Sequence, residues 1–121
     1  MNIMICGSRE NFNRNKAMDI LLDIAYFYGV GNTIHLGGAR GIDKMAEKLF
    51  QDIGTTIIYH LPDYERYGRR APLVRNMEMV DACDRIVAFW NGKSRGTAQV
   101  IAYASKNENK FVEVYNVEET K

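Results

Sequence analysis

Two cysteines, two histidines, two prolines and one tryptophan in 121 residues leave little room for several kinds of chemistry. Cys6 and Cys83 lie far apart without CxxC spacing, and His35 and His60 add no ligand cluster, so neither a zinc signature nor a disulfide framework forms. Buried, unpaired thiols are expected, with no metal and no resident cofactor. No apolar run approaches the length of a membrane span, so no membrane partner is expected. Met1 leads directly into a strand with no signal-peptide pattern, and a cytoplasmic location follows as an expectation. An excess of one charge sign is also missing. The formal net charge of +1 gives no global drive toward nucleic acid, so any anion site must be local.

The chain does contain alternating short β-branched runs and amphipathic stretches. With 46% hydrophobic and 26% charged residues it has the composition of a soluble globular protein, and its length suits a single domain over residues 1–121. No internal repeat, linker or low-complexity segment interrupts it. Strands are expected at residues 2–6, 33–36, 55–59, 84–90 and 110–115, and helices at 15–28, 42–53, 72–81 and 97–106. Strands alternating with helices through short turns predict an α/β, Rossmann-like three-layer sandwich: a mostly parallel five-stranded sheet with helices on both faces.

Gly37-Gly38-Ala39-Arg40-Gly41-Ile42-Asp43 joins the second strand to a helix whose Ile42, Met45, Ala46, Leu49, Phe50 and Ile53 share one face. The amides opening a helix lack intrahelical partners and the macrodipole favours an anion there, so this turn reads as a phosphate cradle. Arg40 is either a planar fork for phosphate or a solvated surface charge. Asp43 either accepts from a ribose hydroxyl or serves as an ordinary first-turn acid. Two further strand-to-helix turns have similar chemistry: Gly7-Ser8-Arg9, and Asn91-Gly92-Lys93-Ser94-Arg95-Gly96-Thr97 after Trp90. In a parallel sheet all three project to the carboxyl edge, where ligands bind at the switch in strand order.

Between the third strand and the next helix, residues 61–71 read as a loop over the site. Tyr64 and Tyr67 are available for stacking, and Arg66, Arg69 and Arg70 for phosphate or an acidic partner. In the helix that follows, Leu73, Met77 and Val80 form the expected apolar seam and Arg75-Asn76 lie off it. The first helix is apolar around most of its circumference, including Tyr26, Phe27 and Tyr28. Either it meets a second subunit, giving a homo-oligomer, or its aromatic end reaches solvent. Residues 116–121 are expected to fray.

Cys-Gly-Ser-Arg at 6–9, Gly-Gly-Ala-Arg-Gly-Ile-Asp at 37–43, Leu-Pro-Asp-Tyr at 61–64, Arg-Asn at 75–76 and Trp-Asn-Gly-Lys-Ser-Arg-Gly-Thr at 90–97 resemble the SLOG superfamily. Within it, the small YspA-like, YpsA-related branch is the most similar, and the resemblance spans nearly the whole chain. It implies a Rossmann-like nucleotide-binding fold. Relatives under that resemblance include the LOG phosphoribohydrolases, nucleotide-sensing domains of antiphage systems and the single-strand DNA loader DprA. LOG enzymes release a base from a nucleoside 5′-monophosphate with an arginine and a glutamate that follows a Gly-Gly-x-Gly-Thr turn. Arg75 resembles that arginine, whereas Ala98, Gln99 and Val100 follow the matching turn without a carboxylate.

The expected function is therefore binding of a nucleotide or nucleotide-derived ligand, as a sensor or sequestering protein in a phage or host defence setting. The expected ligand-binding residues are Gly7, Ser8, Arg9, Gly37, Gly38, Arg40, Gly41, Asp43, Arg75, Asn76, Trp90, Gly92, Ser94, Arg95, Gly96 and Thr97. One alternative is a nucleoside-monophosphate N-glycosidase with Arg75, Asp43 and Glu78 as catalytic groups. The other is DprA-like binding of single-stranded nucleic acid.

Overall fold

A computed structural model describes residues 1–119. The elements run β1 (Asn2–Gly7), α1 (Arg14–Tyr28), β2 (Thr33–Leu36), α2 (Ile42–Asp52), β3 (Thr56–Tyr59), α3 (Tyr64–Tyr67), a 3-10 turn (Gly68–Arg70), α4 (Ala71–Ala82), β4 (Arg85–Trp90), α5 (Arg95–Ser105) and β5 (Phe111–Asn116). All five strands are parallel, in the order β3-β2-β1-β4-β5. The sheet was expected to be mostly parallel, and it is entirely so. Among the described residues no helix is long and apolar enough to cross a membrane.

Alternation along the strands builds two cores. Ile3, Ile5, Ile34, Leu36, Val87 and Phe89 face α1 and α2, which contribute Leu21, Ile24, Ala46 and Phe50. Met4 and Ile86 face α4 and α5, which contribute Met79, Val80, Val100 and Ala104. Such two-sided burial is what a parallel sheet requires, because each crossover lays a helix on one face or the other. The chain winds outward from β1 through β2 to β3, then returns across the sheet to place β4 on the other side of β1. Registers of Cys6 with Ala88 and Gly7 with Phe89 bring the carboxyl ends of β1 and β4 side by side at this reversal. The helices that follow β1 and β4 pack on opposite faces of the sheet, and a crevice opens at this switch in strand order.

Three local expectations change. Within 61–71, Asp63 caps the short helix α3 through its side chain, which accepts from the Arg66 amide at 3.1 Å. On α4 the buried side is Ala71, Arg75, Met79 and Val80, with Leu73 and Met77 only half-buried. Arg75 therefore lies in the seam, held there by carbonyl acceptors that an apolar periodicity does not reveal. The start of the tail packs: Val117 is fully buried, its N–H donates to Trp90 O at 2.9 Å, and Glu118 bridges to Phe12. Residues 120–121, the end of the predicted fraying tail, lie outside the described residues.

Candidate functional site

A cleft of about 420 Å3 occupies the crevice. From the end of β1 and its loop come Cys6, Gly7, Arg9, Glu10 and Asn11, and from the β2–α2 connection Ala39 and Asp43. The α4 side contributes Arg75 and Asn76, while Asn91, Lys93, Ser94, Gly96, Thr97 and Val100 come from the β4–α5 loop and α5. All three expected turns reach this edge, but they play different parts.

The β4–α5 turn presents the donors. Asn91 Oδ1 accepts from the amides of Lys93 and Ser94 at 2.9 and 3.0 Å, and Ser94 caps α5 by accepting from Thr97 N at 3.4 Å. Among the described residues the amides of Arg95 and Gly96 have no protein acceptor. Two free amides and the positive end of the helix dipole thus lie on the turn that borders the cleft, beside the Ser94 and Thr97 hydroxyls, which are 3.1 Å apart and hydrogen-bonded to each other. Among the described residues nothing stands within 4 Å of where a Cβ on Gly96 would sit, so the turn is open on that side.

The β2–α2 turn already holds an anion of its own. Asp43 Oδ2 accepts from the amides of Gly37 and Ala39, both at 3.2 Å. Two donors of the expected cradle are therefore engaged by the protein's own carboxylate. The helix opens just as tightly: Ile42 N donates to Ser8 O at 3.3 Å, and Gly41 has φ +77° with the Ser8 carbonyl only 2.5 Å from an ideal Cβ position. A side chain at residue 41 would meet both a disfavoured backbone and that oxygen. Gly37, Gly38 and Gly41 consequently shape the wall and do not border the cleft. Burial pushes the Asp43 carboxyl up to about 6, although its backbone donors and the charges of Arg75 and Arg9 pull it down.

Arg75 is 7% exposed and ties three segments together. Its Nη1 donates to Gly37 O at 2.7 Å and to His60 O at 3.3 Å, and its Nε donates to Asn76 Oδ1 at 2.8 Å. Nη2 has no partner among the described residues. A Cβ on Gly37 would stand 2.9 Å from Nη1, so the glycine is what lets the guanidinium cross the turn. Arg75 also borders a second hollow of about 180 Å3, beside Asp63, Arg66, Tyr67 and Glu78. Cys6 borders the main cleft as a thiol, since burial and then the Asp43 charge push its ionisation far up. The other free cysteine, Cys83, is buried.

Of the expected residues, Gly7, Arg9, Asp43, Arg75, Asn76, Ser94, Gly96 and Thr97 border the cleft. Ser8 is fully buried beneath it, its Oγ accepting from Asn91 N at 3.1 Å. Arg40 is at the surface, 3.5 Å from Glu10 in an ion pair that joins the two neighbouring loops. Trp90 donates from Nε1 to Ser94 O at 3.0 Å and does not border the cleft; it braces the loop where a ligand contact was expected. Gly92 faces the Glu118 side chain, and Arg95 is exposed on the first turn of α5. Glu78, the alternative acid, borders the smaller hollow only.

Asn91, named only as the start of the third turn and not among the expected ligand-binding residues, is 8% exposed and links the loops after β1 and β4. Besides accepting from Lys93 and Ser94, it donates from Nδ2 to Glu10 O and Asn11 O at 3.1 and 3.2 Å. Its position right after a buried strand and before a helix was the available signal. Asn91→Ala is expected to cost about 3 kcal/mol, since it strips partners from two amides and two carbonyls at a partly wet edge. A urea midpoint unchanged from wild type would contradict that role. Cys6, Glu10, Asn11 and Val100 also border the cleft outside the expected ligand-binding residues, as do Ala39 and Lys93, which lie in turns expected to reach it.

A histidine pair stands behind the Arg75 anchor. His35 Nδ1 and His60 Nε2 are 2.7 Å apart with stacked rings, and His35 Nε2 reaches Asn2 Oδ1 at 2.9 Å. Desolvation lowers both imidazoles from the usual 6.5; His60 lowers His35 further while Asp84 opposes, and at His60 Glu78 opposes while Arg75 lowers. The folded protein thus binds fewer protons than the unfolded chain just below that value, and this stability is lost as pH falls below 6.5. Asp43, raised from 3.8 to about 6, acts in the opposite sense, recovering stability as pH falls through 6. Asp43→Asn removes that recovery, so its urea midpoint should fall more steeply than wild type between about pH 6.5 and 4. Parallel pH profiles would contradict the raised Asp43.

With this geometry established, comparison with known proteins places the chain. It is 34% identical over 110 residues to the Gene 61 protein of Mycobacterium phage D29, covering 86% of this chain and 88% of that protein. The chain belongs to the family of that phage protein. No family model matches it, and no solved structure does. Among the described residues no group of three or more His, Cys, Asp or Glu is arranged to hold a metal ion.

Proposed function

We propose that the switch-point cleft binds a nucleotide or nucleotide-derived ligand and holds it intact, so that the protein acts as a sensor or sequestering protein of the SLOG type. The observation that carries this reading is the α5 N-terminus. Gly96, whose amide is unengaged like that of Arg95 before it, borders the same cleft as the nine-tenths buried Arg75 and the exposed Arg9 and Lys93. Phosphate suits such a mixture of backbone donors and fixed cations. The volume leaves room for a sugar and part of a base beside it. The phage origin of the relative accords with a role in phage–host conflict.

A second reading has its own observation. Asp43, with a carboxyl near 6, borders the cleft with Arg75 and fits general acid–base work on a glycosidic bond. Nucleic-acid binding is supported less, because Arg69 and Arg70 lie on the 3-10 turn and border neither hollow. The test incubates stoichiometric protein with nucleoside monophosphates, NAD and ADP-ribose, then analyses filtrate and retentate after ultrafiltration. One phosphorylated compound retained intact is the expected outcome. Free base in the filtrate would replace sensing with hydrolysis, and retention of none would overturn the nucleotide reading.

A further inference from the structure

The end of the molecule opposite the cleft carries a concentrated apolar exposure. At the end of α1 Tyr26 is 85% exposed and Phe27 72%, their rings in edge contact at 5.2 Å. Val30, in the turn before β2, is 92% exposed, and Leu22 and Ile53 are about half exposed. A groove of about 370 Å3 lies between the turns that precede β2 and β3. Among the described residues Val30 and Ile53 border it, with Asn32, Thr33, Thr55 and Thr56 as its polar walls and no charged side chain. Among the described residues nothing stands within 4 Å of an ideal Cβ on Gly31 or Gly54, so its floor is open. Thr55 Oγ1 donates to Gly29 O at 2.6 Å and fixes the two turns to each other.

We propose that this end is the contact surface for a second copy of the chain, in a two-fold dimer where the aromatic pair of each protomer seats in the groove of the other. A two-fold interface must be self-complementary, and here a projection and an uncharged hollow occur together at one end. The exposed parts of the five apolar side chains sum to on the order of 600 Å2, at the upper end of what a lone monomer leaves uncovered. Added groove walls bring the area near the ~800 Å2 per partner of a stable interface. A partner of opposite charge is not called for, since among the described residues no charged side chain borders the groove. The strand carboxyl edges stay open in this arrangement, so each protomer keeps its own cleft.

Sedimentation equilibrium up to about 100 µM tests this, a concentration that saturates a micromolar dimer. Wild type is expected at twice the chain mass of 13.8 kDa. Phe27→Asp and Val30→Asp should each weaken the dimer at least about tenfold with unchanged far-UV circular dichroism, since both side chains are mostly in solvent in the monomer. A wild-type monomer throughout would overturn the proposal, leaving a different protein as the occupant. A dimer insensitive to both substitutions would overturn it equally.

Discussion

Gly96→Asp is expected to lower affinity for a nucleoside monophosphate by at least about a hundredfold while the fold stays as stable as wild type or becomes slightly more so. The two effects separate because Gly96 is the second residue of α5 and its Cβ position is open. An aspartate there faces the positive end of the helix dipole, and replacing glycine in a helix gains a few tenths of a kcal/mol. For a bound phosphate the same carboxylate is a like charge about 5 Å away. At an effective dielectric near 20 that repulsion is about 3 kcal/mol per charge, roughly a hundredfold in affinity. Gly96→Ala, small and neutral, should change affinity far less. Calorimetric titration of both variants reads the difference, and equal affinities would remove the α5 turn from the site.

Arg75→Ala should lose both stability and binding, with an unfolding penalty of about 3 kcal/mol or more. Its side chain supplies charge-assisted donors to Gly37 O, His60 O and Asn76 Oδ1, and removal leaves those acceptors beside a cavity. Arg75→Lys should recover little, because one ammonium cannot reproduce a planar fork that spans β2, β3 and α4. The change also reports on Asp43, whose carboxyl Arg75 pulls down. Without that charge the carboxyl rises further above 6, and carbon-detected NMR titration measures it. A titration midpoint unmoved in Arg75→Ala would contradict the coupling.

Legibility from sequence followed the range of the interactions. Parallel strands and their order of appearance were readable because β-branched runs and helical periodicity are local, and the switch-point location follows from topology. The α5 turn was readable for the same reason, since Ser94, Gly96 and Thr97 act within a few residues of one another. What escaped depends on how the fold pairs donors with acceptors, within one turn at Asp43 and far along the chain at Arg75 and Asn91. Asp43 answers amides four and six residues before it, which turned an expected phosphate cradle into a self-filled one. Arg75 is drawn into the α4 seam by carbonyls 15 and 38 residues away, so apolar periodicity alone placed it outside. Asn91 joins loops about 80 residues apart, a role its residue type permits but its neighbours do not announce.

Phosphate resting on the first turn of α5 should mark the backbone amides there. Titrating 15N-labelled protein with the nucleoside monophosphate retained most strongly in the ultrafiltration panel, and following the backbone amides, tests it most directly. Arg95 and Gly96 are expected to undergo the largest shifts, with Lys93 and Thr97 close behind, while Gly37 and Ala39 move little because Asp43 holds them. Dominant shifts at Gly37, Ala39 and Gly41, with Arg95 and Gly96 unmoved, would contradict it and return the phosphate to the turn before α2.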